Sequence, residues 1–414
     1  MNQSESGIAA APATAEGGRG RRRATLGTAA GAHFMHDGFS DVVYLLLPIW
    51  QAEFALTLTE VGIVKSSYSA ALAIGQIPAG LLAERFGERR LLALGTVVTG
   101  LGYIGLGFAG GLASLLALLA FAALGSSVQH PLSASIVSKA YEGQGQRSAL
   151  GIYNFSGDLG KAAVPAVAAL VIAALGWRWA VGGYGAMGVL AAILILSSLV
   201  WLGVGAAPVR RLSRAGAGFF GGGWGIRHRR GFTYLSAIGI IDGASRPGFL
   251  TFLPFLLLAK GAEVEGIGFA LALVFIGGAT GKFLCGVLAE RIGIIRTVVL
   301  TEVLTATGIL VLLVSPLWAA LILLPFVGAM LNGTSSVLYG TMAEFVSPES
   351  RARGFGLFYT LGIGAGAISP WAFGVLSDTS GIELALVVLS LSILTTLPLA
   401  VLLGRPLREV GQID

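Results

Sequence analysis

Charge is scarce in this sequence, and its scarcity limits what the protein can be. Charged residues make up 12% of the 414 residues, whereas hydrophobic residues make up 55%. A globular surface normally needs about 25% charged residues, so this composition excludes most soluble proteins. The stretches 91–138, 179–209 and 303–343 contain no Asp, Glu, Lys or Arg. Each could cross a bilayer once or twice at about 20 residues per crossing, so the sequence predicts a membrane-embedded chain.

Cysteine is almost absent as well, because Cys285 is the only one. A single cysteine excludes disulfides and cysteine-rich metal sites, and no set of His, Asp and Glu has the spacing of a closed metal site. The sequence also lacks a phosphate-binding loop and a nucleophile clustered with a base. We therefore expect no cofactor, no metal and no enzymatic activity. The expected energy source is an ion gradient, the proton gradient in particular, or the substrate's own gradient.

What the sequence does contain is a series of long apolar segments separated by charged or Gly/Pro breaks. Because these runs are continuous and not alternating, and because a backbone in lipid must satisfy its own hydrogen bonds, they predict helices and not strands. The fold class we predict is an all-α membrane protein with twelve transmembrane helices. The expected spans are 27–52, 61–83, 91–109, 112–138, 147–174, 179–203, 232–258, 266–289, 296–314, 317–343, 353–377 and 384–404.

The basic residues predict the orientation of these spans. If the N-terminus is cytoplasmic, 21 of the 27 Lys and Arg residues fall in cytoplasmic segments, and only Arg178 and Lys260 fall in external loops. This asymmetry follows the positive-inside rule, so both termini are expected in the cytoplasm. The net charge of +6 then reflects topology. The basic residues are not accompanied by aromatic side chains on which bases could stack. We therefore expect the lipid bilayer as a partner and do not expect a nucleic acid.

The chain divides into two halves. We expect a disordered cytoplasmic tail at 1–26, six-helix halves at 27–203 and 232–404, a basic cytoplasmic linker at 204–231, and a second tail at 405–414. The halves repeat: Asp37-Gly38 recurs as Asp242-Gly243 at an offset of 205, and Gly80–Gly87 recurs as Gly286–Gly293 at an offset of 206. Parallel repeats of this kind place a substrate site near the membrane midplane, between the halves.

One of these repeated segments resembles a known signature. The segment GLLAERFGERR at 80–90 is similar to the sequence between the second and third spans of the major facilitator superfamily, with Glu84 where Asp is usual. The resemblance implies that family's fold, with spans 1, 4, 7 and 10 lining a cavity. It also implies a cytoplasmic latch, in which Arg85 and Arg89 pair with carboxylates or helix C-termini, although a rigid turn without a role in transport is an alternative. The latch residues are Gly80, Glu84, Arg85, Gly87, Arg89, Glu290 and Arg291.

A second, narrower resemblance concerns spans one and four. The segments GSSVQHP at 125–131 and AHFMHD at 32–37 look like the fosmidomycin-resistance group of bacterial efflux transporters. This implies an inner-membrane antiporter that exports a small drug-like or anionic compound in exchange for protons. Span four lacks the intramembrane Arg of many drug:proton antiporters, so a proton-coupled importer of an organic anion is the near alternative. A membrane-embedded enzyme is an alternative from another class.

Ionisable residues inside spans are costly and mark functional sites. His33, Asp37 and Asp41 are four residues apart and therefore share one helical face. Burial and a like-charged neighbour both favour the protonated form of a midspan carboxylate, so Asp37 is the first candidate for a proton carrier and Asp41 the second. Neutralised structural partners of basic residues are the alternative. The candidate proton-coupling residues are Asp37, Asp41, Asp158 and Asp242.

The basic midspan residues are expected to contact an anion or to form ion pairs. Arg246 occupies the repeat position of Asp41 and is expected to face it across the cavity, where its planar fork suits a phosphonate or carboxylate. A static Asp242–Arg246 pair is the alternative. Lys161 is expected to pair with Asp158 one turn away, Lys282 is a weaker anion contact, and Lys65 is expected to snorkel to the outer surface.

The remaining candidates are polar or aromatic residues that could contact a substrate of a monomeric transporter. His130 precedes Pro131, which loosens the helix by removing a backbone donor. The full set of expected substrate contacts is His33, His36, Tyr44, Gln129, His130, Asn154, Lys161, Arg246, Asn332, Tyr339 and Tyr359.

Overall fold

A computed structural model describes residues 15–142, 145–207, 224–347 and 351–411. Over these ranges the chain is almost entirely helical, and the only β-type pairing is an isolated bridge between Ile226 and Val346. The fourteen α-helices of the described residues are α1 (Ala15–Phe54), α2 (Leu58–Phe86), α3 (Glu88–Leu106), α4 (Leu112–Ser126), α5 (Gln129–Ala140), α6 (Gln146–Leu175), α7 (Trp177–Trp201), α8 (Arg229–Ala259), α9 (Val264–Ile292), α10 (Ile294–Val314), α11 (Leu317–Met342), α12 (Arg351–Ser380), α13 (Ile382–Leu394) and α14 (Thr396–Glu409).

Eight helical segments in the described ranges are long and apolar enough to cross a membrane: Leu112–Ala140, Ser148–Leu175, Trp177–Trp201, Val264–Ile292, Ile294–Val314, Leu317–Phe345, Gly354–Ser380 and Ile382–Glu409. The other long helices, α1, α2, α3 and α8, carry charged residues within their length. Large apolar side chains such as Trp179, Phe283 and Phe326 point outwards and are two-thirds exposed or more. An outer surface of this kind is matched to lipid, so this is a membrane-spanning protein.

Two predicted spans are interrupted in the structure. The segment predicted at 112–138 consists of α4 and α5, and the segment predicted at 384–404 consists of α13 and α14. In both cases a proline, Pro131 or Pro398, is the third residue after the break. Proline has no N–H to donate to the carbonyl four residues earlier, so each helix is interrupted just where that hydrogen bond is missing.

The ends of the chain are more helical than the sequence predicts. Helix α1 begins at Ala15, within the expected tail 1–26, and α14 continues to Glu409, within the expected tail 405–414. Arg and Ala are good helix formers, and Arg21 near the start of α1 donates to the carbonyl oxygen of Gly203 at 3.3 Å. Residues 1–14, 412–414 and most of the linker, 208–223, lie outside the described residues.

The sequence repeat reappears in the helices. Helices α2 and α9 both have 29 residues, and α6 and α12 both have 30. Gly87 and Gly293 end the first pair with φ of 84° and 88°, a backbone conformation that favours glycine. The N-terminal half is therefore α1–α7 and the C-terminal half is α8–α14.

The two halves are packed together at one end and separated at the other. The end of the molecule at which α1 ends and α2 begins is called the closed end. The end at which α1 begins and α14 ends is called the open end. A single apolar core around Trp50 and Phe249 joins both halves at the closed end. At the open end the cores are separate, one around Phe232 in the C-terminal half and others around Leu92 and Leu26 in the N-terminal half.

Helices α2 and α12 form the main contact of the closed end. A Cβ on Gly62 would overlap the backbone of Pro370, so glycine permits this approach. The backbone N–H groups of Leu58 and Thr59 donate to the two carboxylate oxygens of Asp378, each at 2.8 Å. The carboxylate of one half therefore caps the first turn of a helix in the other half.

Candidate functional site

A cavity of about 700 Å³ lies between the halves and is lined by residues of both. On α2 its lining residues are Lys65, Tyr68, Ser69, Leu72 and Gln76, a spacing that places them on one helical face. Eleven residues of helix correspond to about 16 Å, so the cavity extends from beneath the closed end well into the molecule. It has the size of a small-molecule site.

The structure brings seven of the predicted site residues to the wall of this cavity. They are His130, Asn154, Lys161, Asp242, Arg246, Tyr339 and Tyr359. Tyr339 and Tyr359 stack with ring centroids 4.4 Å apart and present a flat aromatic surface. Tyr153 and Tyr68 line the cavity too, although nothing in the sequence pattern distinguished them from packed aromatic residues.

Asp37 is the centre of a charged cluster in the N-terminal half. Its carboxylate oxygens lie 3.2 Å from Lys161 Nζ, 3.3 Å from His33 Nε2 and 3.6 Å from His130 Nε2. Asp37 is 4% exposed. A Cβ on Gly157 would overlap His33, so that glycine lets α6 pack closely over the cluster.

The hydrogen bonds of His33 leave a place for a proton in this cluster. Its Nδ1 lies 2.8 Å from the carbonyl oxygen of Tyr153, and because a carbonyl only accepts, Nδ1 carries a hydrogen. In neutral imidazole, Nε2 is then a bare lone pair, and it faces an oxygen of Asp37. Two acceptors attract each other only when one of them binds a proton. The His33–Asp37 contact is therefore a site where one proton can be held.

Three side chains of the same cluster are close enough together to bind one metal ion. One ligand atom each from His33, Asp37 and His130 lie within 4.8 Å of one another, although their sequence spacing does not predict a metal site. The ammonium of Lys161 already lies beside the Asp37 carboxylate and would repel a metal cation there. We therefore interpret this cluster as an ion-pair network.

A second acid, Asp158, connects the two halves. Lys282 Nζ on α9 lies 2.7 and 2.9 Å from its two carboxylate oxygens. The expected Asp158–Lys161 pair is also present, but at 3.7 Å. Asp37, Lys161, Asp158 and Lys282 thus form one chain of alternating charges that begins in α1 and crosses to the C-terminal half.

Arg246 in the C-terminal half is held by an amide and not by a carboxylate. Its Nη1 donates to Asn332 Oδ1 at 3.1 Å, and Asn332 in turn donates to the carbonyl of Gly328 at 2.9 Å. Among the described residues, no ion pair within 4.0 Å joins Asp242 to Arg246. The static Asp242–Arg246 pair that the sequence left open is therefore absent from this structure.

The prediction that Lys65 snorkels to the outer surface is wrong. Lys65 is 4% exposed and lines the cavity. Its ammonium lies 4.1 Å from the ring centroid of Tyr44 and 5.2 Å from that of Tyr68. The neighbouring Ser66 accepts a hydrogen bond from the Trp371 N–H, so α12 covers the end of α2 and keeps Lys65 from the surface.

Other predicted residues lie behind the cavity wall. His36 is bonded to Ser126 at 2.9 Å, and Gln129 is fully buried and accepts from Ser133. Asp41 is not among the residues that line the cavity, and it lies within 4.0 Å of no cation in the described part of the chain. Glu302 on α10, which was not among the predicted site residues, is 2% exposed.

The latch residues contact one another less than expected. In the part of the chain that the structure describes, neither Arg85 nor Arg89 has a carboxylate within 4.0 Å, and Arg89 instead donates its backbone N–H to Gly205. Glu84, Glu290 and Arg291 are exposed, and a Cβ at Gly80 would meet no atom within 4 Å. The ion pair formed here joins Glu88 to Lys139 at 2.7 Å.

Comparison with known proteins assigns the chain to a family. The family model described as the Major Facilitator Superfamily matches residues 29–260 and 235–413. A probable sulfoacetate transporter of Cupriavidus necator is 26% identical over 81% of this chain and 82% of its own length. The fosmidomycin resistance protein of Escherichia coli is 28% identical over 36% of this chain and 37% of its own length. A bacterial homologue of the human lysosomal transporter Spinster, solved in an inward-facing and occupied conformation, superimposes with a TM-score of 0.77 at 17% identity, over 95% of this chain and 98% of that one.

Proposed function

Because this chain belongs to the Major Facilitator Superfamily and is thus a membrane transporter and not an enzyme, we propose that it moves a small organic anion by proton-coupled alternating access. The observation that carries this proposal is Arg246, a guanidinium on the cavity wall that hydrogen bonds to an amide and forms no ion pair with a carboxylate in the described residues. A guanidinium so placed can bind a carboxylate, sulfonate or phosphonate through two parallel hydrogen bonds.

The topology proposed for this function has twelve spans, with α4–α5 and α13–α14 each counting as one. Both termini lie in the cytoplasm of a bacterial cell, and the monomeric transporter sits in the cytoplasmic membrane. This orientation is supported by the 21 basic residues that fall on one side of the spans and by the positive-inside rule. The open end of the cavity then faces the cytoplasm, and the α2–α12 contact closes the external side.

Proton coupling is proposed to operate through the chain of charges that begins at Asp37. When His33–Asp37 binds a proton, Asp37 attracts Lys161 less strongly, and Lys161 moves towards Asp158, which is 3.7 Å away. Asp158 is then shared between Lys161 and Lys282, so its bond to the other half weakens. In this way a proton bound in α1 changes the strength of a contact between the halves.

The balance of charge supports co-binding of the anion and the proton. Four midspan cations (Lys65, Lys161, Arg246 and Lys282) accompany four aspartates (Asp37, Asp41, Asp158 and Asp242) and the buried Glu302, so the acids are not outnumbered even before an anion binds. A bound anion adds negative charge to a poorly solvated site, which favours proton binding nearby. This electrostatic cooperation favours transport of the anion and the proton in the same direction, as in an importer.

Export in exchange for protons is the second candidate, and the partial similarity to a fosmidomycin resistance protein supports it. The similarity to a probable sulfoacetate transporter supports an anionic substrate in either direction. One experiment separates the two directions. In proteoliposomes, an inward proton gradient drives an importer to accumulate an organic anion and drives an exporter, in the same orientation, to expel it.

The test therefore measures uptake and efflux of labelled carboxylates, sulfonates and phosphonates with and without an imposed pH gradient, and a cationic drug serves as the comparison. We expect an anion to move and the pH gradient to accelerate it. Transport of cations alone would refute the anion, and anion transport that ignores every proton gradient would refute the coupling.

A further inference from the structure

The four midspan cations fall into two classes. Lys161 and Lys282 lie within 4.0 Å of aspartate carboxylates, so their charges are compensated by the protein. Lys65 and Arg246 have no carboxylate within 4.0 Å among the described residues, and both line the cavity. An unpaired charge is costly inside a membrane protein, and the cost is recovered when a ligand of opposite charge binds there.

Lys65 in particular has donor capacity that the protein leaves unused. An ammonium has three N–H donors, and the hydrogen bond that the structure gives it is a long one, 3.4 Å, to the carbonyl of Ser40. The rings of Tyr44 and Tyr68 support the charge by cation–π contact and accept no conventional hydrogen bond through their faces. The ammonium is thus held in place while its remaining donors stay available to an anion at the end of the cavity nearest the closed end.

Arg246 lies on the part of the cavity wall that the C-terminal half provides. One of its five N–H donors is bonded to Asn332, and among the described residues the structure shows no other hydrogen bond to the guanidinium. Lys65 belongs to α2 of the N-terminal half and Arg246 to α8 of the C-terminal half. The two unpaired cations of the cavity therefore lie one in each half.

From this arrangement, and resting on the proposed function, we propose that the substrate is a dianion, one acidic group of which is bound by Lys65 and the other by Arg246. The substrate class is that of dicarboxylates and sulfocarboxylates. A dianion satisfies both cations at once and links the halves, whereas a monoanion leaves one cation unpaired. Lys65 is then the residue that selects dianions over monoanions.

The experiment compares anions of equal carbon number and different charge. Binding of malonate and propionate, succinate and butyrate, and 3-sulfopropionate and 1-propanesulfonate to the purified full-length protein is measured by isothermal titration at pH 7. We expect at least one dianion to bind tenfold or more tightly than its monoanionic partner. In Lys65→Met the dianion should lose that advantage, while the affinity for the monoanion, held by Arg246, stays within about twofold.

Two controls keep this result interpretable. Lys65→Arg retains the positive charge and should keep most of the preference for dianions. If it does, the loss of preference in Lys65→Met results from the lost charge and not from a general intolerance of substitution at this position. Lys260→Met removes a lysine that is not among the cavity-lining residues and that bonds to the carbonyl oxygens of Leu313 and Ser315, and it should leave both affinities unchanged.

The outcomes distinguish this inference from the proposed function. If monoanions bind and are transported as well as dianions, or if Lys65→Met keeps the preference, the dianion proposal fails while anion transport stands. If no anion of either charge binds or moves, both fail together.

Discussion

The contact between Asp378 and the start of α2 leads to a quantitative prediction about the closed end. Asp378 is on α12 of one half, and its two oxygens accept the N–H groups of Leu58 and Thr59 in the other half. Opening the closed end must break both hydrogen bonds. Replacing Asp378 by Ala should therefore shift the molecule towards forms in which this end is open.

The size of the shift follows from the position of the carboxylate. A hydrogen bond to a charged group contributes about 1.5–3 kcal/mol when it is shielded from water, but exposed ionic contacts contribute only about 0–1 kcal/mol. Asp378 is exposed, and the freed N–H groups can bond to water. We expect a loss of about 1 kcal/mol, which corresponds to about a fivefold change in the ratio of closed to open forms.

Distances between spin labels can measure this ratio. Labels at Ala52 and Glu383, exposed residues near the closed end in opposite halves, are introduced into a Cys285→Ala background. Asp378→Ala should enlarge the long-distance population about fivefold, and Asp378→Asn, which keeps one acceptor oxygen, should have a smaller effect. Thr379→Ala is the matched control, because this hydroxyl bonds within its own helix and to Ser380. An unchanged distribution in Asp378→Ala would refute the capping argument.

Three further predictions concern the same cycle. Asp37→Asn should abolish proton-driven anion transport and preserve counterflow in the absence of a gradient, since it removes the proton site and leaves the cavity; a variant that still responds to the pH gradient would exclude Asp37 as carrier. Asp158→Lys or Lys282→Asp alone should reduce transport tenfold or more, because each variant places like charges next to each other. The double exchange should restore part of the transport, because it re-forms the ion pair between the halves. A double variant no better than the single variants would exclude a direct pair. Gly62→Ala should hinder closure of the closed end, because the added Cβ would overlap the Pro370 backbone. Gly80→Ala on the same helix should have no effect, because nothing lies within 4 Å of its added Cβ. The spin-label distances described above and the uptake rates check both variants.

Much of the helical framework could be predicted from the sequence, because its signals are local. The spans expected at 61–83 and 266–289 correspond to α2 and α9, which continue three residues further and end before Gly87 and Gly293, since a positive φ is favoured by glycine alone. A loosened helix was predicted at Pro131 from the missing backbone donor. The break before Pro398 was not predicted, because the apolar run on both sides of that proline is continuous in hydropathy.

The contacts of the site depend on which helices pack against each other. That packing is determined by residues far apart in the sequence, so no short sequence pattern predicts it. The spacing of His33 and Asp37 predicts one helical face, but the approach of His130 and Lys161 to the same carboxylate depends on how α5 and α6 pack against α1. Lys65 was misassigned for the same reason, because its distance from the end of α2 predicts access to the surface, whereas α12 covers that end. Lys282 is separated from Asp158 by 124 positions and by the boundary between the halves.

The break before Pro131 has a consequence for how the cavity can open. Helix α5 is a separate rod of 12 residues. Near its start His130 Nε2 lies 3.6 Å from Asp37, and near its end Lys139 pairs with Glu88 of α3. A missing backbone hydrogen bond makes bending at 127–128 less costly than elsewhere in the helix. We therefore expect this short rod to bend away from α4 more easily than an unbroken helix of the same half would bend.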